Sequence, residues 1–121
     1  MTGPVNVLCV LLPLRIVSVL NEREHHMVRA RRSRLHRTTA RMLLRQAHRA
    51  RPVLPVTVTL TRIAPRKLDG DNNQAGLKAC RDGVADWLEV NDNHPDVTWK
   101  YGQRTGKPKE YAAEVVVEWA A

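Results

Sequence analysis

Cysteine is scarce in this chain: Cys9 and Cys80 are the two among 121 residues, and no CxxC spacing joins them. That excludes a disulfide framework and a thiolate zinc site, and it leaves two thiols read as buried in a reducing, cytoplasmic compartment. Phenylalanine is absent and aromatics make up 4% of the residues, too few for a platform that stacks the bases of a single strand. No long apolar run occurs either. The stretch Val5 to Leu20 holds Pro13 and Arg15, has no basic segment before it, and falls short of the roughly 20 apolar residues a membrane span needs. It reads as a buried strand, Val5 to Leu12, followed by an extended turn, so no membrane partner is expected. There is no internal repeat and no low-complexity tract. A chain of 121 residues then reads as one domain over 1–121, large enough for a core and small enough for a homodimer to supplement it.

Acidic residues are missing where basic ones crowd. Residues 1–67 carry 14 Lys and Arg against 2 Glu, a balance of +12, whereas residues 68–121 carry 6 against 10, a balance of −4. With a net charge of +8 and a pI near 10.3, the first half has the footprint of a phosphate-backbone binder. A solvated basic surface with no partner is the alternative.

The polar segment Asn21 to His26 leads into a helical pattern over roughly Met27 to Arg49. At about 100° per residue, Arg34, Arg37, Arg41, Arg45 and His48 fall in one stripe, with Leu35, Met42, Leu43 and Ala47 spread over the opposite side. Like charges at these spacings repel by a few tenths of a kcal/mol per pair, a cost that a line of phosphates would offset. The stripe and Lys67 are therefore the candidate DNA contacts. An exposed, screened helix or one lying on an acidic membrane remain alternatives.

Pro52 and Pro55 end the helix, and Val56 to Thr61 alternates as a half-buried strand whose end, Ile63 to Lys67, runs into an acidic motif. Asn72 to Leu88 is helical again, with Leu77, Val84, Trp87 and Leu88 as its apolar side and Asp71, Lys78 and Asp82 sharing one face. A loop, Val90 to Asp96, precedes a strand Val97 to Tyr101, a basic turn Gly102 to Lys109 and a strand Tyr111 to Trp119, the last two strands reading as a hairpin. The order predicts an α+β fold, a small mixed sheet flanked by helices.

Asp69 and Asp71 lie two apart at a strand end, which turns both carboxylates to one side if the backbone stays extended. Hard divalent ions take carboxylate oxygen, so Asp69, Asp71 and the loop residue Asp92 are candidate Mg²⁺ ligands, with Lys78 placed to stabilise developing negative charge. The competing role for Asp71 is a helix cap. His25 and His26 read as part of a polar turn, His94 as a solvated loop residue and Trp87 as core.

The run Leu68-Asp69-Gly70-Asp71-Asn72, continued by Lys78 to Val84 and by Asn91-Asp92, resembles the DxDN…K…D…DD signature of the RusA family of Holliday-junction resolvases, common in phages. Leu12-Pro13-Leu14, Ser18 to Asn21 and Arg29 to Arg32 also resemble the opening strand and Asn-containing turn of phage members. The resemblance implies a homodimer of small mixed subunits that nicks four-way DNA junctions in recombination and repair with Mg²⁺ or Mn²⁺, in the host cytoplasm if phage-encoded. It implies Asp69, Asp71 and Asp92 as metal ligands and Lys78 as the catalytic lysine. Two departures stand out. Asn91 replaces the first Asp of the DD pair, and Lys78 follows Asp71 by seven residues where the family lysine follows by four, about 4.5 Å further along a helix. A cleavage-deficient branched-DNA binder of the same fold, or a basic RNA- or membrane-surface accessory protein, are the other readings.

Overall fold

The computed structural model describes residues 3–19 and 25–121. Among them the elements are β1 (Val5–Leu12), α1 (His26–Ala47), β2 (Val56–Ala64), α2 (Gly70–Gly76), α3 (Lys78–Leu88), β3 (Val97–Thr105) and β4 (Ala112–Ala120). They make a small α+β fold around one mixed sheet. Asn21 of the expected turn lies outside the described residues.

The sheet order is β1-β4-β2-β3. β4 runs antiparallel to both β1 and β2, while β2 and β3 are parallel. The expected closing hairpin is therefore wrong: β3 and β4 lie on opposite sides of β2. Residues 106–111 cross two strand spacings, about 9.6 Å, which six residues reach easily. Alternation of apolar residues fixes which face a strand buries, not which neighbour it takes. Here Val56, Val58 and Leu60 of β2 face the same side as Val115, Val117 and Trp119 of β4, through the register Val58↔Val117 and Leu60↔Val115. Each such aliphatic side chain contributes about 1.5–3 kcal/mol relative to leaving it exposed.

Helix α1 is capped by His25, whose Nδ1 accepts from the Met27 amide at 3.2 Å. Its buried stripe is His36, Ala40 and Leu44. That corrects the expected apolar side, since Leu35 and Met42 are 58% and 50% exposed and Ala47 is exposed too. The cause is close helix packing. A Cβ added to Gly83 of α3 would stand 2.8 Å from the Ala40 Cβ and closer still to the Arg37 carbonyl. Two small residues thus set the contact line between α1 and α3, and the larger Leu35 and Met42 are turned away.

The single expected helix over residues 72–88 is two helices, broken at Leu77, which is fully buried. Gly76 supplies the reason: a Cβ there would lie 2.7 Å from the Val17 carbonyl. The chain presses against residues 16 and 17 at that point, and Leu77 drops into the core. The cap of α2 is Asp69 rather than Asp71. Trp87 is buried as expected, its indole N–H donating to the His48 carbonyl at 3.1 Å. Cys80 is buried, which pushes its thiol pKa up to about 12, whereas Cys9, expected inside, is exposed on the outer face of the edge strand β1.

Candidate nucleic-acid interface and carboxylate site

β3 is an edge strand, so one of its sides meets no other strand of the sheet, and the acidic segments are tethered along it. Gln103 donates from Nε2 to the Leu68 carbonyl at 2.7 Å and accepts from the Leu68 amide at 2.9 Å. Asn73 Nδ2 donates to the Gly102 carbonyl at 3.1 Å. Arg81 donates to the Tyr101 hydroxyl at 2.7 Å, and the Trp99 indole N–H donates to the Asp92 carbonyl at 2.8 Å. Positions 103, 102, 101 and 99 of one strand thereby anchor, in turn, the segment before Asp69, the first turn of α2, α3 and the loop holding Asp92.

Asp69 is built into this frame. Its Oδ1 accepts from the Asn72 amide at 2.9 Å and its Oδ2 from Asn72 Nδ2 at 2.8 Å, while Ser18 Oγ donates to Asn72 Oδ1 at 2.6 Å. The Asn72 backbone and side-chain bonds hold the Asp69 carboxyl below its usual range. Asp71 has no side-chain partner among the described residues. It lines a hollow of about 510 Å³ with Lys67, Tyr101 and Gln103.

Lys78 and Asp92 meet as the sequence pattern implies. Lys78 Nζ stands 2.6 Å from Asp82 Oδ1 and 2.9 Å from Asp92 Oδ2. Arg81 adds a bond from Nε to Asp92 Oδ2 at 3.1 Å and one to the Asp92 carbonyl at 3.0 Å, with its guanidinium 4.7 Å over the Trp99 ring. The bond from Lys78 lowers the Asp92 pKa most, with Arg81 adding to it. Burial pulls Lys78 down, yet Asp82 and Asp92 together hold it above its ordinary value. Lys78 and Asp82 share a face as expected, but Asp71 is separated from them by the break at Leu77.

Carboxylate oxygen suits a hard divalent ion. As the side chains stand, however, Asp69 has both oxygens on Asn72 and Asp92 has one on two cations. Among the described residues no three His, Cys, Asp or Glu side chains stand close enough to hold a metal. The three aspartates are not a ready-made metal group.

The arginine stripe is also not uniform. Arg34, Arg41 and Arg45 are exposed. Arg37 instead grips Asp86 of α3, Nε to Oδ2 at 2.7 Å and a terminal nitrogen to Oδ1 at 2.8 Å. That bond raises the Arg37 pKa and holds Asp86 below the usual carboxylate range. His48 leaves the stripe as well: it is half-buried, with its ring edge-on to Trp119 at 5.3 Å. His94 is a loop residue as expected, its Nδ1 accepting from the Asp96 amide at 3.0 Å.

Sequence reasoning gave Arg81, Tyr101 and Asp86 no role. Arg81 lies one helical turn after Lys78, so the shared face was a usable signal; the pairings of Tyr101 with Arg81 and of Asp86 with Arg37 depend on tertiary contacts. Comparison with protein-family models gave no match, and comparison with curated proteins gave none.

Proposed function

We propose that this chain is a RusA-like, structure-specific endonuclease acting on branched DNA, with Holliday junctions as the substrate class and Mg²⁺, or Mn²⁺, as its cofactor. The observation that supports this reading is the succession of bonds from β3 to Leu68, Asn73, Arg81 and Asp92, which ties the segments that carry Asp69 and Asp71, Lys78, and Asp92 to one strand. Symmetric cleavage of a four-way junction requires two such sites, so the active species is a homodimer.

One observation favours a second reading, a branched-DNA binder that does not cut. Asp92 is neutralised by Lys78 and Arg81, and Asp69 serves as a cap. A synthetic four-way junction incubated with the protein, with Mg²⁺ or with a chelator, separates the two. Nicking that depends on the ion supports the endonuclease. Tight binding with no nicking in Mg²⁺ or Mn²⁺ supports the binder, and neither binding nor nicking removes both.

A further inference from the structure

The two edges of the sheet differ in how they are guarded. β3 carries Lys100 and Arg104 and is tied by hydrogen bonds to Leu68, Asn73 and Asp92. β1 has no such guard. Its sequence, VNVLCVLL, includes no charge and no proline, and its register with β4 runs unbroken from Val5↔Ala120 to Leu12↔Ala113, so no bulge bends it away. Among the described residues no other strand lies along its second side. A long, regular, uncharged edge is a template for another strand, and soluble proteins normally protect it.

Side chains and backbone turn the same residues outward. Val5, Val7 and Leu11 are 38%, 59% and 58% exposed, and Cys9 between them is exposed as well. The Ala121 amide donates to the Pro4 carbonyl at the end of the β1–β4 ladder. Antiparallel bonding alternates along a strand, so the even-numbered residues of β1 turn their amides and carbonyls to β4, and those of Val5, Val7, Cys9 and Leu11 face away from it. On the inner face, Leu8 and Val10 are only partly buried against the core, which leaves apolar surface at this edge on both faces of the sheet.

We infer that the bare edge of β1 is the interface with a second copy of this chain, joined by antiparallel β1–β1 pairing about a two-fold axis at Leu8. Charge selects the occupant: a chain of net charge +8 repels its own copies over most of its surface, whereas β1 contributes no charge. The nearest charged residues along the sheet, Glu114 and Glu118 of β4, would lie three strand spacings, about 14.4 Å, from those of the copy, beyond a screening length of about 10 Å. An antiparallel strand pair is also self-complementary, as an isologous contact requires. Bonded pairs must join two outward-facing residues, so the register is confined to odd with odd. With the axis at Leu8, Val5 pairs with Leu11 of the copy and Val7 with Cys9, and every outward-facing residue is used. With the axis at Cys9, Val5 would face Pro13, which has no amide to donate. This interface supplies the homodimer that the proposed nuclease requires, but it rests on the edge itself and not on that chemistry.

Sedimentation of the whole chain at micromolar concentration is expected to show a dimer. Val7→Lys combined with Leu11→Lys alters two side chains that are exposed in the single subunit and gives the edge the charges that natural edges carry. That variant is expected to be a monomer with the wild-type far-UV circular dichroism. Cross-linking reads the register. Residues facing each other at the axis would stand about 4.5 Å apart at Cα, within the span of a disulfide, so Leu8→Cys in a Cys9→Ser background is expected to give a covalent dimer on mild oxidation. Wild-type Cys9 would lie diagonal to its counterpart, roughly 7–8 Å away, and is expected not to cross-link. A wild-type monomer, a dimer that survives both lysines, or a covalent dimer through Cys9 but not through position 8 overturns the proposal. Junction cleavage is assayed separately: a β1 dimer that cuts no DNA leaves the interface standing and removes the nuclease, and a monomer that cuts does the reverse.

Discussion

At the scale of single residues, the chemistry is set by which carboxylates are occupied. Asp69, Asp86 and Asp92 are all held below the usual carboxylate range by hydrogen bonds, from Asn72, Arg37 and Lys78 respectively. A folded pKa below the unfolded one contributes stability that is present above about pH 4 and lost as pH falls through the folded value. The pair Arg37–Asp86 spans α1 and α3, but its side chains are 53% and 33% exposed, so solvent screening limits its worth. Replacing Arg37 by Gln is expected to cost about 0.5–1 kcal/mol at pH 7. Urea unfolding should show the gap from wild type narrowing as pH drops below the carboxylate range. A gap unchanged between pH 7 and pH 2.5 would mean that the charge of Asp86 is not what Arg37 supplies.

At the scale of elements, the packing of α1 on α3 depends on Gly83 lying against Ala40 and the Arg37 carbonyl. Gly83→Ala would gain helix propensity but must force the helices apart, and overpacking of this kind costs about 1–3 kcal/mol. Urea unfolding of the variant tests it; a stabilised protein would show that the helices have room. The same contact explains what the sequence made legible and what it did not. The long helix and the four strands were placed, as were the buried side chains of Val84, Trp87 and Leu88, but β1, expected to be buried, is an edge strand with Val5, Val7 and Leu11 exposed, and β3 runs on to Thr105 where a turn from Gly102 was expected. The orientation of α1 was not legible, because its buried stripe uses His36 and Ala40 where a reading by hydrophobicity favours Leu35 and Met42. The hairpin failed for a similar reason, since β4 inserts between β1 and β2 through contacts remote in sequence. In the site, the meeting of Lys78 with Asp92 followed from the motif, while Arg81, Tyr101 and the capture of Arg37 by Asp86 depended on tertiary geometry. That capture changes which arginines are left as proposed DNA contacts. Substituting Arg34, Arg41 and Arg45 together by Gln should weaken binding to all DNA sequences alike and flatten the slope of log affinity against log salt by roughly 2.7, at about 0.9 per phosphate contact. An unchanged slope would move the DNA path off this helix.

At the scale of the whole molecule, the basic helix and the proposed carboxylate site are separated. The basic half of the chain supplies α1, and the acidic half supplies the carboxylates tethered along β3. Under the proposed function a duplex arm held on the arginines would meet Lys78 between the two regions, since it lines a cavity with Arg34 and Arg37 of α1 and also bonds Asp92. Two copies are needed to cut both strands of a junction, and sedimentation at micromolar concentration should show a dimer; a monomer that still cleaves junctions would remove that requirement. Asp71, which the proposed function puts in the reactive centre, has a carboxylate with no partner among the described residues and no cap to provide. The decisive measurement is junction nicking by Asp71→Asn in Mg²⁺, run beside a binding titration on the same junction. Nicking should be abolished while binding stays intact or tightens, since a carboxylate that repels phosphate is gone. Nicking at the wild-type rate would take Asp71 out of the site and with it the carboxylate centre on β3.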